Sequence, residues 1–224
     1  MTIRVAVLFS GGKDSVYACY LAKKQGYNLN CLISLFSENK YSYMFHTPSI
    51  EKTKKQAEVM NLPLLIQKTK GEKEKELLDL KKAIEKAKKK YKIQGIVTGA
   101  IQSVYQASRI QKICNELDLE CFNPLWQKDE ENYLEELIKN KFKIILSGVF
   151  AYPLDETWVL REINDKFIKE IKELNKKYKI HIAGEGGEFE TFVLDCPLFS
   201  RKLKIKSSKI SGEKNSWKAE IEVK

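Results

Sequence analysis

Ser10-Gly11-Gly12-Lys13-Asp14-Ser15 sets two adjacent glycines between hydroxyl side chains, with one cation and one carboxylate beside them. Two glycines let a backbone turn tightly and approach a ligand closely. A helix that follows such a turn offers its first N–H groups and its positive dipole end to an anion. Lys13 adds a mobile positive charge, and the Ser10 and Ser15 hydroxyls add donors. These residues suit the grip of a phosphate chain. A plain glycine turn is the alternative, but it needs one glycine and no Lys-Asp pair. Asp14 beside phosphates is repulsive unless it faces Mg²⁺ or caps the helix, so Mg²⁺ is the metal expected at Asp14. A second segment, Gly184-Glu185-Gly186-Gly187-Glu188-Phe189-Glu190, packs three carboxylates among three glycines. Carboxylates this close repel one another unless solvent, a cation or donor groups come between them. Magnesium or ammonium would answer that repulsion; an acidic hairpin loop is the plain alternative.

The elements that must position these loops alternate between apolar runs and helical patterns. Val5–Phe9 reads as a buried strand that delivers the chain to the first loop, with a helix after it. Further strands are expected over 30–36, 62–66, 95–99 and 121–122. Helices are expected over 50–60, behind Thr47-Pro48-Ser49, over 73–91 and over 104–117. The fold class is therefore α/β: a Rossmann-like parallel sheet of about five strands with helices on both faces over residues 1–125. A smaller α+β domain over 126–224 follows, with strands at 142–150 and from 189 and a helix over 164–178. Parallel sheets bind ligands beyond the carboxyl ends of their strands, where the strand order switches. Gly99-Ala100-Ile101-Gln102 follows the fourth strand and should flank the same crevice as Ser10–Ser15. Small Gly99 and Ala100 either let adenosine lie against the backbone or serve tight strand–helix packing. The aromatic stretch Tyr41, Tyr43, Met44, Phe45 and His46 either covers adenine or forms a satellite hydrophobic cluster.

Composition narrows the class. The chain has 224 residues, 43% of them hydrophobic, which is enough to bury a core. No apolar stretch approaches the ~20 residues of a membrane span, so no membrane partner is expected. The first residues lack a secretory leader pattern, and the five cysteines are odd in number with no C-x-x-C spacing. Both features point to reduced thiols and a cytoplasmic location. Two histidines are too few for a histidine-based metal site. The net charge of +10 is partly concentrated in Arg201–Lys224, which holds eight basic and three acidic residues. No RNA-binding motif accompanies it, so nucleic acid is not expected as a partner. A homo-oligomer is compatible with these features.

The first loop matches neither G-x-x-x-x-G-K-[ST] nor G-x-G-x-x-G spacing. It resembles the S-G-G-x-D-S signature of the PP-loop ATP pyrophosphatases, which cleave ATP between the α and β phosphates and pass AMP to a substrate. Across its length the chain resembles the diphthine–ammonia ligases. The motifs that carry this are SGGKDS at 10–15, YMFHT at 43–47, TGAIQSVYQASR at 98–109, NPLW at 123–126 and GEGGEFETFVLDCP at 184–197. The resemblance implies a larger N-terminal ATP domain and a smaller C-terminal substrate domain. It also implies a reaction: ATP adenylates the carboxylate of diphthine, a modified histidine of translation elongation factor 2, and ammonium then displaces AMP to leave the amide. ATP and Mg²⁺ are the implied cofactors.

Residue by residue, the resemblance places Ser10, Gly11, Gly12, Lys13, Asp14, Ser15, His46, Gly99 and Ala100 at the nucleotide. Gln102, Tyr105, Gln106, Arg109, Gly186, Gly187 and Thr191 fall to the substrate. Lys13, Asp14, Glu185, Glu188 and Glu190 are the expected catalytic set. The site would be divided, with the first loop on pyrophosphate and the glutamate segment toward the acyl group and the nitrogen. One stretch departs from the family pattern: Pro153 and Leu160 stand where glycine is usual. Free ammonium is the simpler nitrogen donor, since neither an N-terminal cysteine nor a Cys-His-Glu glutaminase set is evident. The competing classes are a PP-loop tRNA-modifying enzyme and a non-catalytic adenine-nucleotide module. Thiolating members of the first class need paired or catalytic cysteines, and the acidic segment argues against the second.

Overall fold

Val5, Ala6 and Val7 are apolar in succession, and a strand of this kind is stable only with helices over both faces. The computed structural model describes residues 2–37, 50–70, 72 and 75–224. Tyr41, Tyr43, Met44, Phe45 and His46 lie outside the described residues. The chain divides into two compact units, Met1–Trp126 and Gln127–Lys224.

The first unit runs β1 (Arg4–Leu8), α1 (Lys13–Lys24), β2 (Asn28–Ser37), α2 (Ile50–Val59), β3 (Leu64–Thr69), α3 (Lys75–Tyr91), β4 (Gly95–Val97), α4 (Val104–Glu116) and β5 (Glu120–Phe122). The strands form one sheet in the order β3-β2-β1-β4-β5, with every pairing parallel. Strand side chains alternate between faces. Ala6, Ile33, Leu35 and Ile96 thus meet Leu80, Ile84 and Ala87 of α3 and Ile110 and Ile113 of α4 in one buried cluster. Val5 and Val7 point the other way, toward α1, which packs on β1, β2 and β4 through buried Val16, Tyr17, Ala18, Cys19 and Ala22. The five-stranded parallel sheet with helices on both faces is the architecture expected. Each strand differs from its expected bounds by one to three residues at an end, and at β3 and β4 the local cause is visible. β3, at the edge of the sheet, starts just after Pro63, which has no N–H to donate but whose carbonyl accepts from Leu32 N–H at 2.8 Å. β4 ends at Val97; Thr98 N–H still donates to Phe122 O at 3.0 Å, and the chain turns away at Gly99.

The second unit carries α5 (Glu130–Lys139), β6 (Lys143–Val149), α6 (Asp165–Tyr178), β7 (Phe189–Asp195), β8 (Ile205–Glu213) and β9 (Ser216–Val223). Its sheet is antiparallel in the order β7-β6-β9-β8. Both helices begin on side-chain caps. The Asp129 carboxylate accepts from Asn132 N–H at 2.9 Å, and Asn164 Oδ1 accepts from Phe167 N–H at 3.0 Å. Phe167 is the hub of the core, edge-on to Trp158 at 5.7 Å and to Phe189 at 5.9 Å. The hairpin β8–β9 was not expected; its segment reads from sequence only as charge. Every residue of β8 but Ile210 is exposed, so the strand has almost no apolar alternation to betray it. Ala219, Ile221 and Val223 of β9 are buried and anchor it. Among the described residues no helix is long and apolar enough to cross a membrane.

The stretch that departs from the family pattern has a clear structural reading. Trp158 is a core residue, and Asp155 caps a short 3-10 turn by accepting from Thr157 N–H at 3.0 Å. Tyr152–Pro153 is a cis peptide. Leu160 takes φ +66°, a left-handed conformation, while its N–H donates to Leu146 O at 2.8 Å. The chain thus keeps a glycine-like backbone without the glycine. A left-handed residue with a Cβ costs about 1–2 kcal/mol. Replacement by glycine removes that strain but adds about 0.5–1 kcal/mol of chain entropy and strips the side chain. Leu160→Gly should therefore change stability by no more than about 1 kcal/mol, whereas Leu160→Val, β-branched at positive φ, should lose about 2 kcal/mol. Urea midpoints of the two variants check this order.

Candidate active site

β1 ends in the middle of its sheet, between a neighbour that follows it in sequence and one that comes after the crossover through α3. Its carboxyl end is therefore the switch point, where the loops after β1 and β4 diverge and open a crevice. Ser10–Ser15 forms the first of these loops, and α1 starts inside it at Lys13. Gly12 is the cap residue and has no side chain with which to cap. Ser15 Oγ is the knot of the turn: it accepts from Ser10 N–H at 3.3 Å and from Gly11 N–H at 3.2 Å, and donates to Gly12 O at 3.1 Å. The Ser10 hydroxyl lies 3.2 Å from it. Gly11 has φ +81°. A Cβ there would stand 2.1 Å from Gln56 Oε1, so α2 presses directly on the loop. Gln56, fully buried, donates from Nε2 to Gly11 O at 2.9 Å.

Lys13 is not the mobile charge its sequence suggests. It is 3% exposed, and its ammonium lies 2.9 Å from Asp14 Oδ1 and 3.1 Å from Oδ2. A buried ammonium requires such a partner, because an unpaired charge out of water costs several kcal/mol. The two residues thus arrive at the site as a neutralised pair, with the Asp14 carboxylate 32% exposed. The loop after β4 meets this one at closest range. A Cβ on Gly99 would stand 2.8 Å from Asp14 C and 3.0 Å from Ser15 N. Tight packing against α1 accounts for that glycine, while buried Ala100 continues the same wall. Beyond it, Ser103 caps α4 by accepting from Gln106 N–H at 3.3 Å. Gln102 is exposed; Tyr105, Gln106 and Arg109 are half-buried. Arg109 stacks its guanidinium on the Tyr105 ring, 3.4 Å from Cζ to the centroid. Such stacking orients a cation at a helix surface.

In the second unit the glutamate segment turns inward. Glu188, 7% exposed, accepts from His181 N–H at 2.8 Å and from Gly186 N–H at 2.9 Å. Its own carbonyl accepts from Phe150 N–H at 2.7 Å. Glu130, on the first turn of α5, closes the loop from the other side. Its Oε2 accepts from Ala183 N–H at 2.7 Å and its Oε1 lies 2.8 Å from His181 Nδ1. That carboxylate holds the imidazole above its ordinary titration range, against a partial burial that pulls the other way. The expected convergence of three carboxylates on one cation is not found: among the described residues no three His, Cys, Asp or Glu side chains gather as a metal-binding group. Backbone N–H donors answer the repulsion instead. Glu185, Glu190 and Thr191 are half-buried, and Gly186 and Gly187 are exposed at the turn.

Sequence reading missed Gln56, Glu130 and His181. Gln56 had a signal, as a lone amide on the face of α2 that otherwise buries Thr53, Ala57 and Met60. Glu130 and His181 had none, since 51 residues separate them. Burial pushes the Cys31 and Cys196 thiols up to about 12, where no thiolate forms at neutral pH, while Cys114 and Cys121 interact with each other, which raises the first thiol and lowers the second.

Residues 3–121 match the family model of the diphthamide synthase N-terminal domain, and residues 129–223 match that of the diphthamide synthase C-terminal domain. The chain belongs to the diphthamide synthase family. A relative from Bos taurus named diphthine–ammonia ligase is 36% identical over 226 residues, 93% of this chain and 85% of that protein. The protein of the same name from Homo sapiens is 35% identical over 229 residues, with the same two shares. Among solved structures, the chain is similar to a predicted subunit of tRNA methyltransferase from Methanocaldococcus jannaschii, with 17% identity, a TM-score of 0.44 and coverage of 87% of this chain and 98% of that one. Within the diphthamide synthase match, the Ser10–Ser15 loop falls in the N-terminal domain model and the glutamate segment in the C-terminal one.

The glutamate loop of this diphthamide synthase family member is held by charge-assisted bonds from backbone to carboxylate. Glu188→Gln would turn an amide N–H toward one of two buried backbone donors, at a cost of about 1–3 kcal/mol. A chemical-denaturation midpoint lowered to that extent, together with faster amide exchange at His181 and Gly186, is the expected outcome.

Proposed function

We propose that this chain amidates the diphthine residue of translation elongation factor 2, using ATP and ammonium and releasing AMP and pyrophosphate. What carries this reading is the presence of both loops, each locally ordered, in a chain 36% identical over 93% of its length to a diphthine–ammonia ligase. The diphthine carboxylate attacks the α phosphate, and the P–O bond to pyrophosphate breaks. Ammonia then forms the C–N bond, and the C–O bond to AMP breaks. The unit of residues 1–125 binds ATP, and that of 126–224 binds the modified protein.

The residues divide the work. Ser10, Gly11, Gly12 and Ser15 hold the β and γ phosphates at the start of α1, where N–H groups and dipole favour negative charge. Lys13, now paired with Asp14, turns its charge to the phosphate oxygens as they arrive. Gly99 and Ala100 present a smooth wall to adenosine, and His46 joins the nucleotide side. Gln102, Tyr105, Gln106 and Arg109 orient the acyl group. Glu185, Gly186, Gly187, Glu188, Glu190 and Thr191 form the end that receives substrate and nitrogen, with Glu188 acting through the loop it orders. The donor set fits Mg²⁺ carried in by the nucleotide. That ion keeps most of its waters and needs one or two protein carboxylates beside the phosphates, for which half-exposed Asp14 serves. Bound there, it would neutralise charge on the triphosphate.

No cysteines stand at C-x-x-C spacing, and both matching domain models are those of diphthamide synthase, so no observation favours a tRNA-modifying role.

Incubation with diphthine-bearing elongation factor 2, ATP, Mg²⁺ and ammonium should convert the acid to its amide, visible in the intact mass of the factor. No conversion alongside an active control enzyme would defeat the reading. Asp14→Asn keeps an oxygen facing the buried Lys13 ammonium but removes its counter-charge, so the melting temperature should fall as well. Measured on the protein that remains folded, AMP release should fall by about 100-fold or more, given the usual worth of a charge-stabilising group. Wild-type turnover in this variant would remove Asp14 from the mechanism.

A further inference from the structure

His181 carries a feature that the loop does not need for its shape. The loop is closed by Ala183 N–H on Glu130 and by His181 N–H and Gly186 N–H on Glu188. None of these bonds involves the imidazole. The ring is nonetheless oriented, because Nδ1 meets Glu130 Oε1 at 2.8 Å. A carboxylate on Nδ1 fixes the tautomer and leaves Nε2 to exchange a proton, the arrangement of a general base. The ring is 44% exposed and its partner carboxylate 15%. Among the described residues Nε2 has no hydrogen-bond partner. Gly186 keeps its surroundings open: a Cβ there would stand 3.0 Å from His181 Cδ2, the carbon bonded to Nε2. The glycine at this position therefore leaves the proton-accepting edge clear. The charged groups that face the ring are Glu130 from α5 and Glu185 and Glu188 from the loop, all carboxylates. They favour a cationic ring, and so favour its taking up a proton.

We propose that His181 is the general base of the amidation step, with Glu130 as the residue that orients it. This rests on the amidation reading above. Ammonia, in equilibrium with ammonium, adds through its lone pair to the acyl carbon and forms the C–N bond. The nitrogen then carries a surplus proton, which passes to Nε2 of neutral His181. The C–O bond to AMP breaks with its electron pair on the phosphate oxygen, and the imidazolium returns its proton to solvent. The carboxylates that raise the ring's titration range strengthen it as a base and so favour its taking the proton from the adduct.

His181→Asn is the discriminating variant, since its amide nitrogen can take the place of Nδ1 and still donate to Glu130. Two half-reactions separate the steps: pyrophosphate exchange into ATP in the presence of diphthine-bearing factor reads adenylation, and amide formation reads nitrogen transfer. The variant should keep exchange within about 3-fold and lose amide formation with ammonium by about 100-fold or more, the usual worth of a general base. Hydroxylamine, whose adduct gives up its proton to water more readily, should restore most of the transfer. Glu130→Gln removes the carboxylate that raises the imidazole, so the acid limb of the amide-formation profile should move to lower pH. Equal loss of exchange and transfer in His181→Asn, or no loss of transfer, would overturn the assignment and leave His181 a structural residue. Absence of exchange in the parent chain would overturn the adenylation reading, and this proposal with it.

Discussion

The backbone of Gly99 rests directly on the first turn of α1, and the carboxyl-end crevice of the first unit is built around that contact. Any side chain at 99 would push β4 and α1 apart at the point where their loops diverge. Because the contact is between main chains, it sets the distance between the two walls of the crevice without relying on a rotamer. Gln56 applies the same logic from α2: its amide bonds Gly11 O and fills the volume a Cβ on Gly11 would need. The loop is thus set by a main-chain contact with Gly99 on one side and by the buried Gln56 amide on the other, and tied within itself by Ser15 Oγ. Its N–H groups keep fixed directions, which is what electrostatic stabilisation of a phosphate requires.

Charge is handled in the same way in both loops: the ionic groups that hold them are paired within each unit. Lys13 is neutralised by Asp14, Glu188 by two backbone donors, and Glu130 by a third donor and an imidazole. A buried carboxylate without partners would titrate to its neutral form or unfold the loop. With partners it becomes a fixed anchor. An acidic residue singled out by spacing can thus also anchor its own loop, as Glu188 does through His181 N–H and Gly186 N–H. The half-exposed Glu185 and Glu190 keep a freer relation to solvent.

The sheet of the first unit was legible because its strands are continuous apolar runs and its helices carry a 3.6-residue stripe. Val5–Val7 and Gly95–Val97 are buried throughout, and α3 buries Leu80, Ile84 and Ala87 at helical spacing. The turn at Ser10–Ser15 and the helix behind it were legible because their residues are contiguous. What escaped has physical reasons. β8 is exposed along nearly its whole length, so the sheet is held by β9 and no periodicity marks its partner. Leu160 occupies a left-handed position that sequence patterns assign to glycine, since the bond from Leu146 O and the surrounding core hold it there. Lys13 reads as a solvated cation in a polar motif; only the three-dimensional fold shows it covered.

Glu130 and His181 show most plainly where sequence reading stops. Each looks ordinary in its own segment: one is an acid in the first turn of a helix, where the dipole favours it, and the other is a lone histidine before a glycine loop. Their meaning arises from a contact across 51 residues. That contact gives the loop a side chain whose proton affinity is set by fixed neighbours rather than by solvent. A loop of glycines alone could approach a substrate but could not exchange a proton with it. A histidine alone could exchange a proton but would not be aimed. The carboxylate of α5 joins the two properties by orienting the ring through Nδ1 while Gly186 leaves the edge at Nε2 open, so the spacing of glycines and acids in this segment answers to one geometry.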